Sequence, residues 1–134
     1  MQLVLRDDLL LTHLLSKAHH QGRQVEVADV VVDTGSAATL LAADAVAPLG
    51  IIPAPDDLLY TIRGVGGTET VFVRQLDRLQ IGHTFLDHFA VEIGGMDYGL
   101  PINGILGLDF LLAAGAIIDL SALELILTER GSDA

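Results

Sequence analysis

Short runs of apolar and β-branched residues, each cut off by glycine or a polar pair, set the rhythm of this chain. Leu9 to Lys17 is one such run, His19-His20-Gln21-Gly22 reads as a turn, and Gln24 to Val32 is β-branched, so together they predict a hairpin. Leucine also favours helix, but the turn and the next run follow so closely that strand is preferred for the first run. Ala37 to Leu49 is rich in alanine and leucine and meets Pro48 and Gly50, which predicts a short helix with a stop signal. In Tyr60 to Val73, Thr61-Ile62-Arg63 and Thr70-Val71-Phe72-Val73 flank a Gly64-Val65-Gly66-Gly67 tip, the outline of a mobile hairpin. Leu76 to Ile81 and Phe85 to Ile93 predict a further pair of strands around Gly82-His83. Ala116 to Asp119 and Leu123 to Leu127 predict a last pair around Leu120-Ser121-Ala122, and the polar end from Glu129 to Ala134 should fray. No linker or low-complexity segment intervenes, so residues 1–134 read as one mainly β domain with one or two short helices.

A faint internal echo adds to this. Val31 to Ala43 can be laid on Asn103 to Ala114 by matching Gly35 with Gly107. Each segment is an apolar strand, then glycine, then leucine and alanine. In that superposition Asp33 falls opposite Ile105 and Thr34 opposite Leu106, so the second half copies the shape of the first without its carboxylate.

Composition narrows the partners. A chain of 134 residues can bury a real core, and with 51% hydrophobic but only 4% aromatic residues that core is aliphatic. Mean hydropathy of +0.52 is high for a soluble monomer of this size, which predicts that a second subunit covers part of the surface. Asp44, Asp109 and Asp119 interrupt the richest apolar regions, so no stretch reaches the roughly 18 residues of a membrane span. A net charge of -11 repels phosphate backbones and argues against nucleic acid. The lack of cysteine removes disulfides, zinc-thiolate sites and thiol nucleophiles, and fits a cytoplasmic location. The opening MQLVLRDDLLLTHLL carries Asp7 and Asp8 without a basic n-region and does not read as a signal peptide.

The chemistry concentrates at Val30 to Leu41, where an apolar strand runs directly into Asp33-Thr34-Gly35-Ser36. A carboxylate at the end of a buried strand costs desolvation energy and therefore needs partners or a task. Two such carboxylates about 3 Å apart cannot both ionise, so a pair shares one proton and can act as base and acid in turn. Glycine lets the backbone come close and leaves room for coplanar carboxylates. An Asp-Thr-Gly triplet arises by chance in roughly 2% of chains this long and is also an ordinary turn sequence. Its place after an apolar strand, followed by a glycine-rich hairpin and then by Ile105-Leu106-Gly107, makes the signal much stronger.

These residues resemble the retropepsin-like aspartic proteases, the clan of the retroviral proteases, in a bacterial-type single-domain form. The resemblance is carried by Val31-Val32-Asp33-Thr34-Gly35-Ser36, Ile62-Arg63-Gly64-Val65-Gly66-Gly67 and Ile105-Leu106-Gly107-Leu108-Asp109-Phe110-Leu111, and spans roughly residues 9–127. It implies a closed acid-protease barrel and a homodimer with its active site on the two-fold axis. Asp33 would be the catalytic aspartate, Thr34 would grip its counterpart, Gly35 would shape the loop, and Ser36 would hydrogen-bond near the carboxylate. Gly64, Val65, Gly66 and Gly67 would form the flap tip over an extended peptide. Ala37, Ile62, Val65, Ile102 and Ile105 would line apolar pockets, so apolar side chains are expected beside the scissile bond. Retroviral members carry Arg after the second glycine as part of an ion pair that supports the dimer, and Leu108 stands there in this chain.

Other chemistry is less favoured. His19 and His20 are adjacent, and His83 and His88 flank a strand start without an obvious third ligand, so no metal is expected. Asp7-Asp8 and Asp56-Asp57 read as solvated loop charges, and Asp109 as a helix-start or loop-capping residue. The glycine tip lacks the Lys-Ser/Thr ending of a phosphate loop, and no cofactor is implied. The reading is an aspartic endopeptidase. A catalytically idle peptide-binding module on the same fold is the alternative, and an assembly domain with a contact-making hairpin is a weaker one.

Overall fold

The computed structural model describes residues 1–12, 16–64, 67–96, 99 and 101–128. Its strands are β1 (Leu3–Arg6), β2 (Leu9–Thr12), β3 (Ser16–His20), β4 (Arg23–Val27), β5 (Val30–Val32), β6 (Leu40–Ala42), β7 (Tyr60–Gly64), β8 (Gly67–Ile81), β9 (Thr84–Gly94), β10 (Gly104–Leu106), β11 (Ile117–Asp119) and β12 (Glu124–Ile126). Two short helices, α1 (Ala43–Val46) and α2 (Leu108–Ala113), complete a mainly β architecture. One sheet has the order β1-β2-β5-β10-β6-β9-β8-β3-β4 with β7 added on β8, and β11-β12 is a separate ribbon. Among the described residues this order is an open path, with no ladder joining β1 to β4. The sheet is strongly curved all the same. Helix α1 follows β6 yet packs against β4, four strands away along the path. In a flat sheet that separation would be roughly 19 Å, at about 4.8 Å per strand.

Local chemistry explains where the chain departs from the pattern-based reading. Asp7 and Asp8, at φ 52° and 63°, are the two central residues of a tight β1–β2 turn, a conformation aspartate tolerates better than most. The amino-terminal hairpin is thus β1–β2, and the strand expected from Leu9 to Lys17 is shared between β2 and β3. His19 and His20 belong to β3, leaving Gln21-Gly22 as the turn into β4. The run from Gln24 to Val32 also divides. Asp29 adopts φ 58°, Arg6 bonds its carboxylate at 3.2 Å, and Asn103 bonds the carbonyls of Ala28 and Asp29. That break sends β5 away from β4 to pair in parallel with β10. The helix expected from Ala37 to Leu49 shrinks, because Leu40 and Leu41 are drawn between β10 and β9 as strand β6. The hairpins at Gly82-His83 and after Asp119 form as expected, and the end at 129–134 lies outside the described residues.

Two apolar clusters divide the interior. The larger gathers Leu3, Val30, Val32, Ile93, Leu106, Phe110 and Leu125 among others, with Phe110 edge-on to Phe89 at 5.6 Å. The smaller holds Leu11, Val31, Leu40, Ala42, Val71, Met96 and Ile102, with Ile62 and Ile105 packed against it. Alternation along β5 sends Val30 and Val32 to the first and Val31 to the second. Continuing that alternation puts Asp33 on the side of the smaller cluster. Backbone bonds of 2.7–2.8 Å join Met1 and Leu3 to Leu123 and Leu125, tying the first residues to the β11–β12 ribbon.

Candidate active site

The Asp33 loop is built by two neighbouring strands that each end in a glycine-bearing turn. Strands β5 and β10 run side by side, Val31 beside Ile105 and Val32 beside Leu106, so the echo in sequence becomes a contact in space. The amide of Asp33 extends this ladder by donating to the Leu106 carbonyl at 3.0 Å. Its carboxylate Oδ1 then accepts the amide of Gly35 at 2.8 Å, and its carbonyl accepts the amide of Ser36 at 3.2 Å. A side chain at Gly35 would place Cβ 3.1 Å from that Oδ1, so glycine keeps the carboxylate in its seat. Asp33 is half-buried, whereas Thr34 and Gly35 are exposed at the loop tip. The Ser36 hydroxyl donates to the Ala38 carbonyl at 2.8 Å. Its one proton therefore goes to the backbone of the Asp33 loop.

Behind the tip, the loop is clamped to the start of α2. The amides of Leu108 and Asp109 donate to the carbonyls of Ser36 and Ala37 at 2.8 and 3.2 Å, satisfying helix-start donors that otherwise lack partners. Asp109 returns the contact: its carboxylate accepts the Thr39 amide at 3.1 Å and the Thr39 hydroxyl at 2.7 Å. Thr39, fully buried, accepts the Gly107 amide at 3.1 Å. Asp109 is thus the loop-capping residue that its sequence position suggested. Gly107 has no alternative, since a Cβ there would lie 2.5 Å from the Ala38 carbonyl. Glu92 donates its amide to the Thr39 carbonyl at 2.9 Å. Burial, and then the nearby charge of Asp109, raise the pKa of its carboxyl above the ordinary 4.5.

The hairpin expected to act as a flap is β7–β8, paired from Tyr60↔Val71 to Gly64↔Gly67. Ile62 is half-buried against the smaller cluster, which also takes Ile102 and Ile105. Three of the five pocket residues read from sequence are therefore brought together on the Asp33 side. Ala37 is exposed, and its carbonyl serves α2. Val65 and Gly66 lie outside the described residues. Sequence reasoning missed Thr39 and Glu69. Glu69, opposite Ile62 in the hairpin, accepts the amide of Met96 through Oε2. Gly94 makes room for it, because a Cβ there would sit 2.7 Å from the same oxygen. The one sequence signal was a charge expected at a position facing inward. Among the described residues no three His, Asp or Glu side chains gather as a metal-binding set, and no helix is long and apolar enough to cross a membrane.

A family model for aspartyl proteases matches residues 17–110, a span that holds the Asp33 loop, the β7–β8 hairpin and the start of α2. The structure resembles the crystal structure of a retropepsin-like aspartic protease from Rickettsia conorii, with a TM-score of 0.57 and 20% sequence identity over 85% of this chain and 89% of that one. No curated protein matches the sequence. The chain belongs to the aspartyl protease family and has the retropepsin-like fold.

Proposed function

We propose that this protein is an aspartic endopeptidase whose active site is shared between two copies of the chain. The observation that carries this reading is the Asp33 loop, where one half-buried carboxylate is seated by the Gly35 amide beneath an exposed Thr34-Gly35 tip. One chain supplies one such carboxylate, since the matching β10 turn carries Gly107 and the nearby Asp109 is committed to Thr39. A second copy would complete the pair, with Thr34 of each chain gripping the other loop. The sheet curvature that brings α1 against β4 supports a closed barrel for each half and a single domain over residues 1–134.

In the shared site one Asp33 is ionised and the other protonated. The ionised carboxylate takes a proton from water as its oxygen attacks the peptide carbonyl carbon, while the protonated one gives its proton to the carbonyl oxygen. Collapse of the tetrahedral diol returns a proton to the amide nitrogen, and the C–N bond breaks. The flap tip, Gly64 to Gly67, would cover an extended peptide and exclude water. Ser36 and Ala37 would flank the peptide from the loop. Ile62, Ile102 and Ile105, gathered on one side, favour apolar side chains next to the scissile bond.

Cleavage of a mixed peptide library by wild type and by Asp33→Asn tests this. Activity should be highest at acidic to mildly acidic pH and fall by about 10²–10⁴-fold or more in the variant. Full cleavage by Asp33→Asn would remove the proposal. A dimer that binds peptides without cutting them would instead identify a peptide-binding module.

A further inference from the structure

Glu69 joins two parts of the chain that the sheet ladder leaves apart. Val71↔Gly94 is the last pair between β8 and β9, so among the described residues Gly67 to Thr70 are laddered to β7 alone. The β7–β8 hairpin thus runs on past the end of β9, with Glu69 opposite Ile62. Directly opposite residues of an antiparallel pair share a face, and so do residues two apart along a strand. Glu69 therefore lies on the face of Ile62 and Val71, which packs into the smaller apolar cluster on the side of Asp33. A carboxylate on such a face needs a polar partner.

It finds one in the backbone that follows β9. Its Oε2 accepts the amide of Met96, just past the strand end at Gly94. The approach needs glycine, since a Cβ at Gly94 would lie 2.7 Å from Oε2 and 2.9 Å from Cδ of Glu69. Met96 has φ 55°, a left-handed conformation that a long side chain adopts only at a cost, and it is 4% exposed. Its side chain joins Val31, Val71 and Ile102 in the smaller cluster, against which Ile62 packs. One charge-assisted bond therefore ties together the hairpin, the turn after β9 and an apolar side chain on the Asp33 side.

We propose that Glu69 is a positioning residue for peptide binding: it latches the β7–β8 hairpin to the turn after β9 and so seats Met96 as the wall that sets the size of the apolar pocket beside Asp33. This role rests on the reading of the Asp33 side as the peptide-binding cleft of a protease. Glu69 acts through Met96 and not through its own charge, so a neutral amide oxygen at the same place would serve as well. Met96 is the residue that determines specificity, by the volume it takes from the pocket.

The test measures binding of two labelled peptides, alike except for Leu-Leu or Phe-Phe at the centre, to the full chain carrying Asp33→Asn. Adding Glu69→Ala should weaken binding of the Leu peptide about tenfold and speed hydrogen exchange at the Met96 amide. Glu69→Gln, which keeps an acceptor oxygen, should stay within about twofold of the parent. Gly94→Ala, which crowds the carboxylate without removing it, should match Glu69→Ala. Met96→Ala should shift preference toward the Phe peptide by about tenfold, the worth of a methylene or so in an apolar pocket. Unchanged exchange at Met96 in Glu69→Ala, equal losses in Glu69→Ala and Glu69→Gln, or binding of neither peptide would each overturn the latch. Peptides that bind in the expected pattern but go uncut by wild type would support the latch and remove the protease reading instead.

Discussion

Glu92 and Asp109 are two acids that stand behind the Asp33 loop, both joined to Thr39. Asp109 is spent on the buried Thr39, while Glu92 carries a raised pKa from burial and from the charge of Asp109. The sign of the consequence follows by linkage. A folded-state pKa above the unfolded 4.5 means that Glu92 costs nothing below that value and destabilises the fold as pH rises through its raised value. Glu92→Gln should therefore be more stable than wild type at neutral pH, with the gap closing below pH 4.5, as read by denaturant midpoints at the two pH values. An unchanged gap across pH would deny the repulsion. Asp33 was legible in the sequence because a β-branched run, a carboxylate and a glycine sit next to one another. Thr39 and Glu69 were not, since each acquires its role from a partner 70 or 27 positions away that only the sheet register reveals.

The start of α2 does more for the site than its six residues suggest. It receives the loop carbonyls of Ser36 and Ala37 and anchors itself through Phe110, fully buried against Phe89. Gly107→Ala should force the Ala38 carbonyl aside from its 2.5 Å approach and cost about 1–3 kcal/mol, together with displaced Asp33-loop resonances. Phe110→Ala should cost about 3–5 kcal/mol in denaturant unfolding, and a loss below 1 kcal/mol would show that α2 is not the anchor. On the β7–β8 hairpin, Glu69→Ala should speed hydrogen exchange at the Met96 amide, which would then lose its acceptor. The hairpins were readable because alternation and turn residues agreed. The breaks were not: Asp29 at positive φ splits one apolar run, and pairing with β9 and β10 overrides the helix-forming residues of β6.

The surface returns to the surplus hydropathy seen in the composition. The β11–β12 ribbon turns Leu125 into the core and presents Ile117 and Ile126, directly paired, outward, while Leu112 of α2 is 74% exposed. On the shared-site proposal, a second copy is the partner that would cover such a face. Leu108 offers no replacement for the retroviral ion pair, so apolar contact would have to supply the association. The most direct test mixes wild-type and Asp33→Asn chains, allows subunits to exchange, and measures cleavage as the fraction of the variant rises. If each site needs two Asp33 residues, activity per wild-type chain falls in proportion to the wild-type fraction, because mixed dimers are dead. Activity per wild-type chain that stays constant through the series would contradict a shared site.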